Sequence, residues 1–117
     1  MRASFSPVEL AYLQGERRLA RLATADTEGR PQVTPVGMWR INEALGTIDI
    51  GGHNFTATKK FRNVTANPQA ALVVDDLAST NPWRPRGVTI QGSAIAVDEG
   101  GGLIRISPDR IFSWGLE

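Results

Sequence analysis

Apolar positions along the chain fall mostly into short alternating runs, broken often by glycine, proline and small polar residues. RLARLATAD sets Leu19, Arg21 and Ala23 against Arg18, Leu22 and Thr24, a mixed pattern that predicts a strand. After the turn DTEGRP, the run QVTPVGMWRI predicts a second strand. Its Pro35 points to an edge or a bulge, because proline cannot donate to a ladder. NEALG turns the chain into TIDIGG, so 32–41 and 47–52 read as a hairpin. AALVVDDL is apolar and β-branched, and ASTNPWRPRG after it reads as a long turn-rich loop. GVTIQGSAIAV then alternates Val88, Ile90, Gly92 and Ala94 against Thr89, Gln91 and Ser93. DEGGG is a loop, and LIRI, SPDR and IFSWG supply one or two closing strands.

Two segments follow a helical period instead. SPVELAYL offers Ser6 as a cap, Pro7 for the first turn and Glu9 to complete a capping box, with Gly15 as the stop. Ala57, Phe61 and Val64 lie at i, i+4 and i+7, with Thr56 or Thr58 available as a cap and Asn67-Pro68 as a terminator. The sum is about six short strands in hairpin order, an N-terminal helix and one crossover helix. That predicts a mainly β, antiparallel sandwich or barrel. A doubly wound sheet would need alternating strands and helices.

The 117 residues suit one domain spanning 1–117, with enough chain for a core. A charge of +1 argues against an electrostatic nucleic-acid binder. The absence of cysteine removes disulfides, thiol catalysis and zinc ribbons, and agrees with a cytoplasmic location. No apolar run approaches the ~18 residues of a membrane helix, and MRASFSPVEL has no signal-peptide core. Two glycosylation patterns, at Asn54 and Asn63, are therefore read as chance.

Candidate chemistry is sparse. The chain has one histidine, His53, in a loop ahead of the crossover helix. A lone histidine is more often structural than catalytic, and its setting leaves a role open. Asp75 and Asp76 are adjacent on a strand and so face opposite ways, which argues against a carboxylate dyad. Clustered metal ligands are lacking, so no metal is expected.

Lys59-Lys60 is the sharper signal. A helix N-terminus is already positive, and two cations there are unfavourable unless something anionic joins them. Backbone N–H groups, the two ammonium groups and the hydroxyls of Thr56 and Thr58 would together suit a phosphate. On spacing alone, a solvated basic helix face explains the same residues. Gly37, Gly51 and Gly52 would leave a shallow trough without side chains, or simply allow the sheet to curve. Trp39, Trp83 and Trp114 suit a core or an interface, and one of them could stack on a planar ligand.

The segments GRPQVTPVGMW, TIDIGGH, TKKFRNVTANPQAALVVDD, PWRPRGVTIQGSA and IRISPDRIFSWGLE together resemble the pyridoxamine 5′-phosphate oxidase-like superfamily of split β-barrel flavin-binding proteins. Within it they are most similar to the actinobacterial F420-dependent branch. The likeness covers nearly the whole chain after residue 15. It implies a six-stranded antiparallel split β-barrel and a homodimer with cofactor sites at the interface. It implies a phosphate site on Lys59-Lys60, Asn63-Val64 and Asn67-Pro68, with Thr58 beside it. Thr34, Pro35, Val36 and Gly37 would line the flavin or deazaflavin ring, and Gly51 and Gly52 would approach the phosphate or ribityl chain. Trp83, Arg84 and Arg86 would reach the site from a covering loop or the partner subunit.

The implied activity is hydride transfer from reduced F420 to an unsaturated small molecule. The alternatives are an FMN-dependent oxidase or reductase on the same fold, and a non-catalytic flavin or F420 carrier. Pyridoxamine phosphate oxidation itself is not expected, because that enzyme is longer and its substrate-phosphate residues have no counterpart in this chain. Related chains carry a longer acidic, proline-rich segment before the last strands, where this one has only VDEGGG over 97–102.

Overall fold

The computed structural model describes residues 2–117. In chain order its elements are α1 (Pro7–Leu13), β1 (Ala20–Ala25), β2 (Pro31–Val36), β3 (Met38–Asn42) and β4 (Thr47–Gly51). A 3-10 turn (Phe55–Ala57) leads into α2 (Lys59–Ala66), followed by β5 (Gln69–Thr80), β6 (Trp83–Val97) and β7 (Leu103–Trp114).

The strands form one sheet in the order β2-β1-β5-β6-β7-β4-β3, and every neighbouring pair is antiparallel. The outermost strands, β2 and β3, are consecutive in sequence and separated by Gly37 alone. One linking residue spans at most about 7 Å, so the sheet must curl until its two edges meet at that point. The edges do not pair with each other, and the barrel is therefore split. The antiparallel split-barrel expectation holds, but there are seven strands rather than six. The run 32–41 divides at Gly37, where the chain steps from one sheet edge to the other. The expected edge position of Pro35 is correct, since β2 pairs only with β1.

One other reading is corrected, and one is narrowed. The segment ASTNPWRPRG is not a long loop: β5 and β6 continue as a ladder to Thr80↔Trp83. The proline, asparagine and glycine residues there suggest a break, but cross-strand pairing carries through them. The closing segments form one strand, bulged near Gly92, where a Cβ would fall 2.0 Å from the Ser107 carbonyl oxygen. The β6–β7 connection is short, with Val97 paired to Leu103.

Inward-facing residues of every strand fill the barrel. Leu22, Leu72, Val74, Val88 and Ile90 form one half of the core, and Trp39, Ile48, Ile50, Ile104 and Ile106 the other. Each such side chain contributes roughly 1.5–3 kcal/mol on burial. Phe55 of the 3-10 turn, Val64 of α2 and Tyr12 and Leu13 of α1 are buried in the same cluster. The α1 capping box forms as expected: Ser6 N–H donates to Glu9 Oε1 at 2.8 Å, and Glu9 N–H to Ser6 Oγ at 3.2 Å.

Two carboxylates on the strands are held by arginine. Asp49, on β4, accepts from both Arg105 Nε and Nη2, from Asn42 and from Thr47. Burial pushes its pKa up, but these hydrogen bonds and the Arg105 charge outweigh that and hold it below the usual range. Asp76, on β5, binds Arg86, Arg18 and Tyr12, which together hold it far below the usual carboxylate range. In return the Tyr12 phenol is pushed up to about 12, by burial first and by its hydrogen bond to Asp76 second.

Candidate functional site

Where the sheet edges meet, a small cleft of about 180 Å³ opens beside Gly37. Pro35 and Val36 at the end of β2 form one wall. Met38 opens β3 and stands in register with Gly51 at the end of β4. Gly52 and His53 carry the chain away from β4, and Phe55, Thr58 and Lys60 complete the lining.

The cleft is bare where the two strands approach. A Cβ placed on Gly37 would meet only Leu19, at 3.7 Å, and one on Gly51 only the Gly102 carbonyl oxygen, at 3.8 Å. Packing within the chain does not require glycine at either position. What the absent side chains leave is room for a flat group against the backbone.

The polar end is built by α2. Thr58 is its N-cap: its hydroxyl accepts from Phe61 N–H at 3.3 Å and donates to the Phe55 carbonyl at 2.6 Å. That hydroxyl is spent on the cap. The N–H groups ahead of Phe61 have no partner within the helix, as at any helix start. Lys60 follows in the first turn, half-buried, with Nζ 5.6 Å from the Phe55 ring centroid. Lys60 and the Thr58 cap line the same small space, so an ammonium and a helix N-terminus adjoin it, which suits a phosphate or another compact anion. Lys59 is exposed and does not line the cleft.

Asn63 and Asn67 serve this site from behind. Asn63 Nδ2 donates to Thr24 Oγ1 at 3.0 Å, and Asn67 Nδ2 to the Asp26 carbonyl at 3.1 Å. Asn63 and Val64 are both buried. These residues bolt α2 onto β1 and the turn after it, instead of contributing to the cleft themselves. Arg62 points elsewhere and donates to the Ala57 carbonyl at 2.8 Å.

Arg17 supports the opposite wall. Its Nη2 donates to the Gly37 carbonyl at 2.6 Å, and its guanidinium lies 4.6 Å from the Trp39 ring centroid. Trp39 Nε1 in turn donates to the Arg18 carbonyl at 2.8 Å. The backbone at the edge junction is therefore held from two sides.

Of the residues singled out in the sequence, Pro35, Val36, Gly37, Gly51, Gly52, Thr58 and Lys60 come together in this cleft. Thr34 does not: it faces the inner side of β2, in register with Leu22. Trp83 and Arg84 lie at the far end of the β5–β6 ladder, with Trp83 68% exposed. Arg86 is engaged with Asp76. Met38, Phe55 and Arg17 were not singled out. Register with Gly51 marks Met38 once the hairpin is known, whereas the Arg17–Gly37 contact spans 20 residues and leaves no local signal.

Comparison with known proteins agrees with this architecture. The family model described as pyridoxamine 5′-phosphate oxidase matches residues 8–114. A 5a,11a-dehydrotetracycline/5a,11a-dehydrooxytetracycline reductase of Streptomyces rimosus is 39% identical over 122 residues, covering 97% of this chain and 84% of that protein. The crystal structure of the conserved hypothetical protein Rv2991 of Mycobacterium tuberculosis superposes with a TM-score of 0.76 at 20% identity, over 97% of this chain and 86% of the other. An F420 reductase superposes with a TM-score of 0.63 at 18% identity, over 87% of this chain and 94% of the other.

Proposed function

The chain belongs to the pyridoxamine 5′-phosphate oxidase family, and from that premise we propose that it is an oxidoreductase that binds F420 and reduces an unsaturated small molecule. The observation that carries the reading is the cleft itself: Lys60 and the α2 N-terminus stand at one end, and the bare Gly37–Gly51 backbone at the other. These residues fit a phosphate joined to a planar ring. The relative from Streptomyces rimosus is a reductase of a dehydrotetracycline, so a polycyclic, conjugated substrate is the natural class to try first.

In this reading Lys60 and the first N–H groups of α2 hold the phosphate, with Asn63 and Asn67 fixing the helix that presents them. Pro35, Val36 and Gly37 run along the ring. Arg17 keeps the Gly37 carbonyl turned toward itself and out of the way of the ring. The bound deazaflavin supplies the hydride, and the protein supplies binding, orientation and exclusion of water. That division of labour explains why no catalytic triad or metal cluster is needed.

The site is completed, we further propose, by a second copy of the chain. The outward face of the sheet carries the row Arg21, Val73, Thr89 and Phe112 in register across four strands. Val33 is 67% exposed and Phe112 47%. Such a face favours burial against a partner, and Trp83 and Arg84 would then reach the site from the other subunit.

Titration of the purified protein with F420 and FMN in parallel, followed by turnover on conjugated enones, tests the proposal. Saturable F420 binding with substrate-dependent oxidation of the reduced cofactor is the expected result. Tight FMN binding with no affinity for F420 would move the chain to FMN chemistry. Cofactor binding without turnover on any substrate would make it a carrier.

A further inference from the structure

His53 lines the Lys60 cleft and has no part in the reading given so far. In chain order it stands between the two ends of that cleft, with Gly51 before it and Thr58 and Lys60 after it. The bend that carries it is fixed. A Cβ on Gly52 would come within 3.0 Å of the Phe55 ring, so the backbone lies directly on that ring. Asn54 then turns the chain with φ 46°, the one non-glycine residue in the left-handed region among the described residues, a conformation asparagine tolerates. Phe55 is 1% exposed, and Lys60 Nζ lies 5.6 Å from its ring centroid. The bend before His53 and the ammonium of Lys60 therefore rest on the same buried ring.

The His53 side chain is exposed and has no hydrogen-bond partner or ion pair among the described residues. Lys60 is the other ionisable residue lining the cleft, and no carboxylate lines it. β2, β3, β4 and the 3-10 turn contribute only uncharged residues there. α2 adds Lys59 and Arg62 outside the cleft, the latter on the Ala57 carbonyl, and Arg17 holds the Gly37 carbonyl. Asp98 and Glu99 belong to the β6–β7 turn, which abuts this region where Gly102 meets Thr56, and neither lines the cleft. A like charge nearby disfavours protonation of an imidazole, and an anion bound beside it favours protonation. A cleft with an imidazole, an ammonium, a helix N-terminus and no counter-ion thus gains a proton most readily when an anion enters.

We propose that His53 is a further anion-binding residue of this cleft: as imidazolium it contacts the anion held at Lys60, so that the ligand is taken up together with a proton. This rests on the phosphate reading of the cleft. It adds a pH dependence near neutrality that a lysine ammonium does not supply. The bound anion raises the midpoint of the imidazole. The extra affinity is therefore fully present below the midpoint of the free protein and is lost as pH rises through that of the complex.

His53 is the single histidine of the chain, so in tag-free protein its ring protons give one NMR titration curve. Saturating F420, or FMN if that is the cofactor that binds, is expected to raise the midpoint by about one pH unit. That is the same as a roughly tenfold preference for the protonated form, the size of one charge-assisted contact. In fluorescence titration, His53→Gln should bind up to about tenfold more weakly than wild type near pH ~6 and almost equally near pH ~8, either side of the ordinary imidazole range. Its melting temperature should be unchanged, since the side chain has no partner to lose. Lys60→Ala should bind more weakly at both pH values. A midpoint that the cofactor leaves in place, or a His53→Gln that matches wild type at both pH values, would overturn the proposal. Should neither cofactor bind the wild type, the cofactor reading fails separately, and inorganic phosphate becomes the probe of the same resonance. A midpoint raised by phosphate in the wild type and not in Lys60→Ala would keep His53 and Lys60 as one anion site. No shift with phosphate would overturn it.

Discussion

Arg86 meets Asp76 in a two-pronged ion pair across the β5–β6 ladder, Nε to Oδ1 at 2.7 Å and Nη2 to Oδ2 at 3.0 Å. The same carboxylate accepts from Arg18 Nε and the Tyr12 hydroxyl, so one aspartate ties β5, β6, α1 and the segment before β1 together. This knot is structural. It is also the reason an arginine that looks free in the sequence is not.

Removing Arg86 should therefore affect stability and not ligand binding. Arg86→Ala is expected to cost about 1–3 kcal/mol in urea unfolding, since it strips a charge-assisted contact from a part-buried carboxylate. Cofactor affinity of the folded protein should be unchanged. The Asp76 pKa is depressed in the folded state. Its contribution is thus fully present above the unfolded value near ~3.9 and is lost as pH falls below that toward the folded value. Asp76→Asn should be less stable than wild type at neutral pH and should lose less additional stability on acidification.

Gly51 offers a test of the trough. A Cβ there meets only the Gly102 carbonyl oxygen, at 3.8 Å, and valine suits a strand better than glycine does. Gly51→Val is expected to melt at or above the wild-type temperature while losing at least roughly tenfold in cofactor affinity, or ~1.4 kcal/mol. A variant that binds as well as wild type would show that the ligand does not lie against β4.

Asn63 separates docking from direct contact. The resemblance to known phosphate motifs implies a role at the ligand, whereas the structure buries Asn63 against Thr24. Asn63→Ala is expected to destabilise the fold by about 1–3 kcal/mol, because a buried polar partner is removed. Below the melting transition it should retain most of the affinity. Full stability with lost affinity would restore Asn63 to the site.

Much of this architecture is legible in the sequence because it is local. The Ser6–Glu9 capping box, the Asn67-Pro68 stop and the part of the expected hairpin that forms, 38–42 against 47–51, are each written within a few residues. The lysine pair is an electrostatic anomaly on its own, since the helix start and the two charges lie within one turn of each other. The features that escape a sequence reading are those set by distant partners. Gly37 looks like an ordinary strand glycine until the sheet order makes its neighbours the two edges of one barrel. The β5–β6 ladder runs through residues with turn-forming character because each strand has the other to pair with. Nothing near Arg86 announces Asp76, and nothing near Arg17 announces Gly37.

The central claim is that Lys60 and the α2 N-terminus hold a phosphate. The most direct measurement is equilibrium binding of F420 to Lys60→Ala, with Arg62→Ala as the control from the same helix. A charge-assisted hydrogen bond contributes roughly 1.5–3 kcal/mol, so Lys60→Ala should bind about one to two orders of magnitude more weakly. Its fold should be intact, since a cation is removed from a positive helix end. Arg62→Ala, whose side chain serves the Ala57 carbonyl, should change affinity far less. Wild-type affinity in Lys60→Ala would contradict the assignment and leave the lysine pair as a solvated helix face.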